Sequence, residues 1–336
     1  MRTSEFLAGA AVALIVSTAG ITTAPASTSD TWTEVTTAHF RVVGPDGTHP
    51  VTLARRMETF REVLAGRGHV PQLDEGAKVS VVVLPGDQAL LAFGRELARS
   101  DTKFSAATIA DPAGPFIVIN GRDPEDDVTS AAYRSYVDLA LALDVEPVPL
   151  WYREGLAAYY QTFGTAGRSG FLGRAVPEYV TFLRQHEFLP LGEVLGMKRI
   201  DLDRLTPQER VMFTLESWAL VHQQFAAGIV GKRRLVRMMD LQERGTEIGE
   251  AAAQAFGGLA TAERALVEYV RAPRFAYRNI AFDGPRLVPM TVREVPRGDV
   301  LVEVDGLRET PAEIAGMVRR PGRPPVQEFI VSAGKY

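Results

Sequence analysis

The sequence predicts an α+β protein, with a strand–helix N-terminal half and a largely helical C-terminal half. Three observations carry that expectation. Between residues 31 and 120, short β-branched apolar runs alternate with helical periodicity. After about residue 126 the apolar period becomes helical nearly everywhere. The chain has 336 residues, 46% of them hydrophobic, which is enough for a sizeable core and excludes wholesale disorder.

Residues 31–43 open at Thr31-Trp32 and close in the strand-like run His39-Phe40-Arg41-Val42-Val43. From Pro50 to about Ala65, the residues Val51, Leu53, Met57, Phe60, Val63 and Leu64 recur near helical spacing. Val79 to Leu84 is continuously apolar and predicts a buried strand. Asp87 is placed to cap a helix over 88–98, and Phe116 to Ile119 reads as another strand. Helices are expected over 127–143, 150–163, 176–186, 208–227, 231–243 and 259–271, with a Gly-rich loop from Gly164 to Gly173. Beyond residue 273, eight prolines from Pro273 to Pro325 punctuate short apolar segments. A small appendage is expected there, poorly ordered over 320–336.

The N-terminus reads as an export signal. Arg2 precedes an apolar run from Phe6 to Val16, and Ala24-Pro25-Ala26 supplies the small-residue cleavage pattern before Ser27. The run is short of the roughly 20 residues a membrane span needs. An uncleaved anchor is the alternative. The expected mature chain, cut near Ala26, is periplasmic or extracellular, with no membrane span. The chain carries 37 Lys+Arg against 41 Asp+Glu, a net charge of −4, which argues against a nucleic-acid or polybasic membrane role. It contains no Cys, so disulfides, thiolate metal sites and thiol nucleophiles are excluded.

The most informative stretch is Tyr133-Arg134-Ser135-Tyr136-Val137-Asp138, followed by Leu150-Trp151-Tyr152-Arg153-Glu154-Gly155-Leu156-Ala157-Ala158-Tyr159-Tyr160. Together with the 32–43 opening, Phe104-Ser105-Ala106-Ala107, Leu189-Pro190-Leu191 and Ser217-Trp218-Ala219-Leu220-Val221-His222, this layout resembles the peptidase MA-like group of gluzincins. These are exported bacterial relatives of thermolysin-type zinc peptidases. The resemblance covers about residues 32–272. It implies three parts: a signal peptide at 1–26, a gluzincin-like domain at 31–272 and a short Pro-rich appendage at 273–336.

Where similar proteins would read H-E-Y-V-H, this chain reads Arg134-Ser135-Tyr136-Val137-Asp138. In the family, two His one helical turn apart meet one zinc, a Glu beside the first activates the metal-bound water, and a Glu on the next helix is the third ligand. Only that third position survives, as Glu154. Arg134 has no lone pair to donate, and Ser135 does no general-base work near neutral pH. The resemblance therefore implies a metallopeptidase-like protein without catalytic residues and without a zinc cofactor. Arg134 is expected to offset Asp138 and Glu154 as an internal substitute for the metal.

The functional expectation is an exported pseudoenzyme that binds peptide or a protein partner in a retained cleft, with Glu154, Trp151, Tyr159, Trp218 and His222 as candidate lining residues. The competing expectation is an active zinc peptidase with a non-standard site, for example Asp138, Glu154 and His222. Other readings are weaker. Asp138 and Glu154 as a glycosidase pair would need split pKa values that Arg134 opposes. Ser135 lacks a nucleophile elbow. Aromatics at helical spacing most often build core, and Lys232-Arg233-Arg234 reads as a solvated helix start.

Overall fold

The computed structural model of the protein describes residues 31–66, 70, 73, 78–86, 102–111, 114–144, 148–281, 288–307, 312–318 and 326–332. The expected signal segment, the helix expected over 88–98 and His69 lie outside the described residues. Mixed α+β architecture is observed. Strands β1 (Thr31–Thr36), β2 (Phe40–Gly44), β3 (Val79–Leu84), β4 (Thr102–Asp111) and β5 (Gly114–Asn120) form the middle of an eight-stranded mixed sheet. β2, β3 and β5 run parallel; β1 and β4 flank them antiparallel.

Helix α1 (Pro50–Ala65) connects β2 to β3, with Pro50 in its first turn, where a missing N–H costs nothing. It lies against the sheet together with α2 (Glu125–Ala142). The central strands β3 and β5 are apolar with little alternation because both faces are buried. Val81, Val83, Ile117 and Ile119 face the core shared with α1 and α2, while Val82, Leu84, Phe116 and Val118 belong to a second core. Phe60 of α1 stacks on Tyr133 of α2 with centroids 4.2 Å apart and touches Phe163 at 5.4 Å. These rings join the sheet layer to α3 (Leu150–Tyr160), the helix that follows α2.

The helical half comprises α4 (Pro177–Gln185), α5 (Leu191–Gly196), α6 (Pro207–Ala226), α7 (Gly228–Glu243), α8 (Ile248–Phe256) and α9 (Leu259–Arg271). α6 is its buried axis. A capping box starts it: Glu209 N–H donates to Thr206 Oγ1, and Thr206 N–H donates to Glu209 Oε2 at 2.7 Å. α3 crosses α6 at Gly155, where an added Cβ would sit 2.3 Å from the Ser217 carbonyl oxygen. The expected loop at 164–173 is a hairpin, β6 (Gly164–Ala166) and β7 (Ser169–Leu172), extended into a three-stranded sheet by β8 (Arg278–Ala281).

The C-terminal stretch corrects the expectation of an appendage. β9 (Thr291–Pro296) pairs with β1 at one border of the five-strand core. α10 (Arg297–Gly306) covers the outer face, inserting Val300 and Val304 beside Trp32, Val43, Phe116 and Val118. β10 (Ala312–Val318) then pairs with β4 at the other border, and β11 (Val326–Ser332) pairs with β10. So 326–332, expected to be poorly ordered, is a strand. The reason is non-local: these short segments have little periodicity of their own, and the core edges and face of the 31–120 sheet supply their partners.

An ionic cluster fastens this wrap. Arg41 Nε donates to Glu34 Oε2 at 2.8 Å, Arg293 Nε to Glu34 Oε1 at 2.6 Å, and Arg41 Nη1 to Glu303 of α10 at 2.8 Å. Burial alone would raise the Glu34 pKa. The hydrogen bonds from Arg293 and Arg41, with their charges, outweigh it and hold the carboxyl below its ordinary value.

Candidate functional site

The helix pair α2 and α3 carries Arg134, Asp138 and Glu154. α2 begins with Glu125, Asp126 and Asp127, acids that favour a helix N-terminus, and nearly every residue from Val128 to Leu141 is buried. Arg134 and Asp138 lie one turn apart on it. Arg134 is 2% exposed and Glu154 on α3 is 5% exposed, and Arg134 Nη2 donates to Glu154 Oε2 at 2.7 Å.

Asp138 has a partner the sequence reading passed over. Arg153 grips it with both prongs of its guanidinium, Nε to Oδ1 at 2.6 Å and Nη2 to Oδ2 at 2.8 Å. The available signal was the basic residue directly preceding Glu154, about 100° round the helix from it. The result is two neighbouring Arg–carboxylate contacts across one helix pair. Burial pushes the Glu154 pKa above the ordinary carboxylate range. The attraction of Arg134 opposes that, the charge of Asp138 adds to it, and Arg153 and Arg199 pull back.

The residues present do not fit a zinc ion of the kind the resemblance implies for active relatives. A metal needs lone pairs converging on one point, whereas a guanidinium meets Glu154 and a bidentate one holds Asp138. His222 does not complete a set with them. Its Nε2 lies 2.6 Å from the Gly173 carbonyl oxygen, which can only accept, so Nε2 carries the proton; Nδ1 lies 2.5 Å from Tyr269 Oη and accepts from it. Burial also holds the His222 pKa below the ordinary imidazole value. The Asp138, Glu154 and His222 arrangement considered from sequence is therefore corrected: both ring nitrogens are already used. Of the other described His, His39 pairs with Glu58 at 2.8 Å and His186 with the Phe182 carbonyl at 2.9 Å. Among the described residues no three metal-ligating side chains converge.

The candidate lining residues also fall elsewhere than in an open groove. Trp151 and Trp218 are 0% exposed, Tyr159 3% and His222 1%. Trp151 Nε1 donates to Gln242 Oε1 at 3.0 Å, which ties α3 to α7. Tyr159 sets its ring edge-on against His222 and Phe225. Gly173, at φ +72°, lets its carbonyl reach His222 while passing so close to the Tyr159 ring that a Cβ would lie 2.2 Å from it. These side chains are core, packed where α3, α6 and the β7 end meet. Ser135 is buried on α2, 4% exposed.

One group was not anticipated. Glu216, 1% exposed on α6, accepts the Leu189 N–H at 2.6 Å through Oε1, while Oε2 is buried without a hydrogen-bond partner. Burial pushes its pKa up to about 8, against the Leu189 hydrogen bond and with help from Glu263. Glu263 in turn accepts the Leu191 N–H at 2.9 Å. The two carboxyl groups thus hold the Leu189-Pro190-Leu191 segment. Among the described residues, no helix is long and apolar enough to cross a membrane. No family model and no curated protein matches the chain.

Proposed function

We propose that this protein is an exported, non-catalytic relative of the gluzincin metallopeptidases, acting by binding a peptide or protein rather than by hydrolysis. The observation that carries the reading is the buried Arg134–Glu154 contact at 2.7 Å. It joins the position of the first metal-binding His in the resembled motif to the position of the third ligand. In an active relative a dication would offset the ligand carboxylate there. Here a guanidinium does so and also supplies hydrogen bonds in fixed geometry. Burying a carboxylate without such a partner costs several kcal/mol, on the order of the penalty for an unpaired charge, so the pair keeps the helix pair closed once the metal is gone. Arg153 on Asp138 extends the same logic to the second His position.

The test has two arms. Purified protein is expected to carry no stoichiometric zinc and to show no chelator-sensitive cleavage of casein; about one equivalent of zinc with such cleavage would overturn the reading. The combined variant Arg134→His, Ser135→Glu, Asp138→His is expected to bind about one zinc per chain, measured by metal analysis after dialysis. A folded triple variant that binds none would mean that the helix pair does not share the geometry of the resembled site.

A further inference from the structure

We infer that the exposed face of α7 is a docking surface for an anionic lipid bilayer. The inference uses no residue of the Arg134–Glu154 contact and stands or falls separately from the non-catalytic reading. From Gly228 to Met239 the helix carries Lys232, Arg233, Arg234 and Arg237 and no acid, in a chain whose net charge is −4. Its inward face is Gly231, Leu235, Met238 and Leu241, all buried. Its outward face holds Ile229 (66% exposed), Val230 (53%) and Val236 (52%). At 100° per residue, Ile229, Arg233 and Val236 form one stripe, with Val230 and Arg237 beside it. Three large apolar side chains thus stand in water on two turns of one helix, interleaved with guanidinium groups.

A solvated helix start explains the cations but not the aliphatic side chains between them. Aliphatic side chains alternating with long cationic ones on one helix face match the headgroup and acyl boundary of a bilayer. The aliphatics enter the apolar layer, and the arginines reach phosphate with their stems lying along it. Arg237 donates to Gln254 of α8 at 2.6 Å, Gln254 in turn donates to Glu250 at 3.2 Å, and Lys232 sits 5.8 Å from the Phe225 ring centroid. By the same count the acids Asp240 and Glu243 share this face and bound the cationic stretch at the C-terminal end of the helix.

The experiment is co-sedimentation of the full chain with vesicles of equal phosphatidylglycerol and phosphatidylcholine, against vesicles of phosphatidylcholine alone, in 0.05 and 0.5 M salt. The N-terminal apolar segment is common to every variant and cancels in the comparison. Expected is partitioning to the anionic vesicles that weakens steeply in high salt. Arg233→Glu with Arg237→Glu should lower the partition coefficient about 20-fold or more, from about fivefold per cation near an anionic surface. Ile229→Ser, Val230→Ser and Val236→Ser together should lower it about fivefold or more with no change in charge. All five side chains are exposed, so melting temperatures should match the wild type. Equal binding to neutral vesicles, insensitivity of the wild type to salt, or an unchanged arginine variant would overturn the inference. A serine variant that binds like the wild type would overturn it too, and would reassign the face to an acidic macromolecule.

Discussion

Of the arginine–carboxylate clusters among the described residues, the one on the sheet and the one between α2 and α3 solve opposite problems. On the sheet, Glu34 takes one guanidinium on each oxygen and its pKa is held down; the cluster ties the C-terminal wrap to β1 and β2. Between α2 and α3, Glu154 meets Arg134 inside the core, and burial outweighs the attraction so that its pKa rises. The difference lies in solvent. Arg293 is largely exposed and Arg41 partly so, and water shares the cost of their charges; Arg134 and Glu154 have only each other and their neighbours. The first cluster is a fastening with its guanidinium side toward water, and the second is an ion pair enclosed in the core.

The comparison breaks most visibly at Arg134. Arg134→Ala should cost about 3–5 kcal/mol in urea unfolding, since it strands Glu154 in the core. Replacing both partners by apolar residues, Arg134→Met with Glu154→Leu, should recover most of that loss. A single variant as stable as the wild type would remove the substitute-for-metal argument.

Glu216 sharpens the contrast, as a third buried carboxyl, one that takes its hydrogen bond from the Leu189 N–H. Its folded pKa of about 8 lies above the ordinary 4.5, so the folded state keeps a proton that the unfolded chain releases. Its contribution is complete below about 4.5 and is lost as pH rises toward 8. Glu216→Gln should therefore gain on the wild type by about 2–4 kcal/mol between pH 5 and 8. A pH-independent difference between the two would contradict the assignment.

Glu34 should show the smaller effect and the reverse sign. Its folded pKa lies below the ordinary 4.5, so its contribution is full above that value and disappears as pH falls through the folded one. Glu34→Gln should cost about 1–2 kcal/mol at pH 7, with the gap to the wild type closing in acid. Urea midpoints across pH 3–7 measure it; a gap that persists in acid would mean that the cluster is not ionic in effect.

Much of the layout was legible because its signals are local. The helix expected over Pro50–Ala65 and the strand over Val79–Leu84 coincide with α1 and β3, and most other helices agree within a few residues. The short helices α5 and α8, six and nine residues long, escaped. The site was half legible. Residue types alone said that Arg134 lacks a lone pair and that Glu154 needs a cation. They did not say that Arg153 would take Asp138, because that depends on how α3 is rotated against α2. They also did not say that His222 spends both nitrogens, because Gly173 and Tyr269 reach it from 49 and 47 residues away.

By itself, then, the amino-acid sequence determined where helices begin, through Pro50, Pro207 and the Thr206–Glu209 box, and which strands have two buried faces. It also determined that the family-like motif here has no imidazole. Tertiary structure alone decided that the Pro-rich tail borders the sheet on both sides and covers its outer face. Caps and periodicity act within one or two turns of chain, whereas strand partners and ion pairs are chosen by whichever surfaces the folded core leaves to be covered.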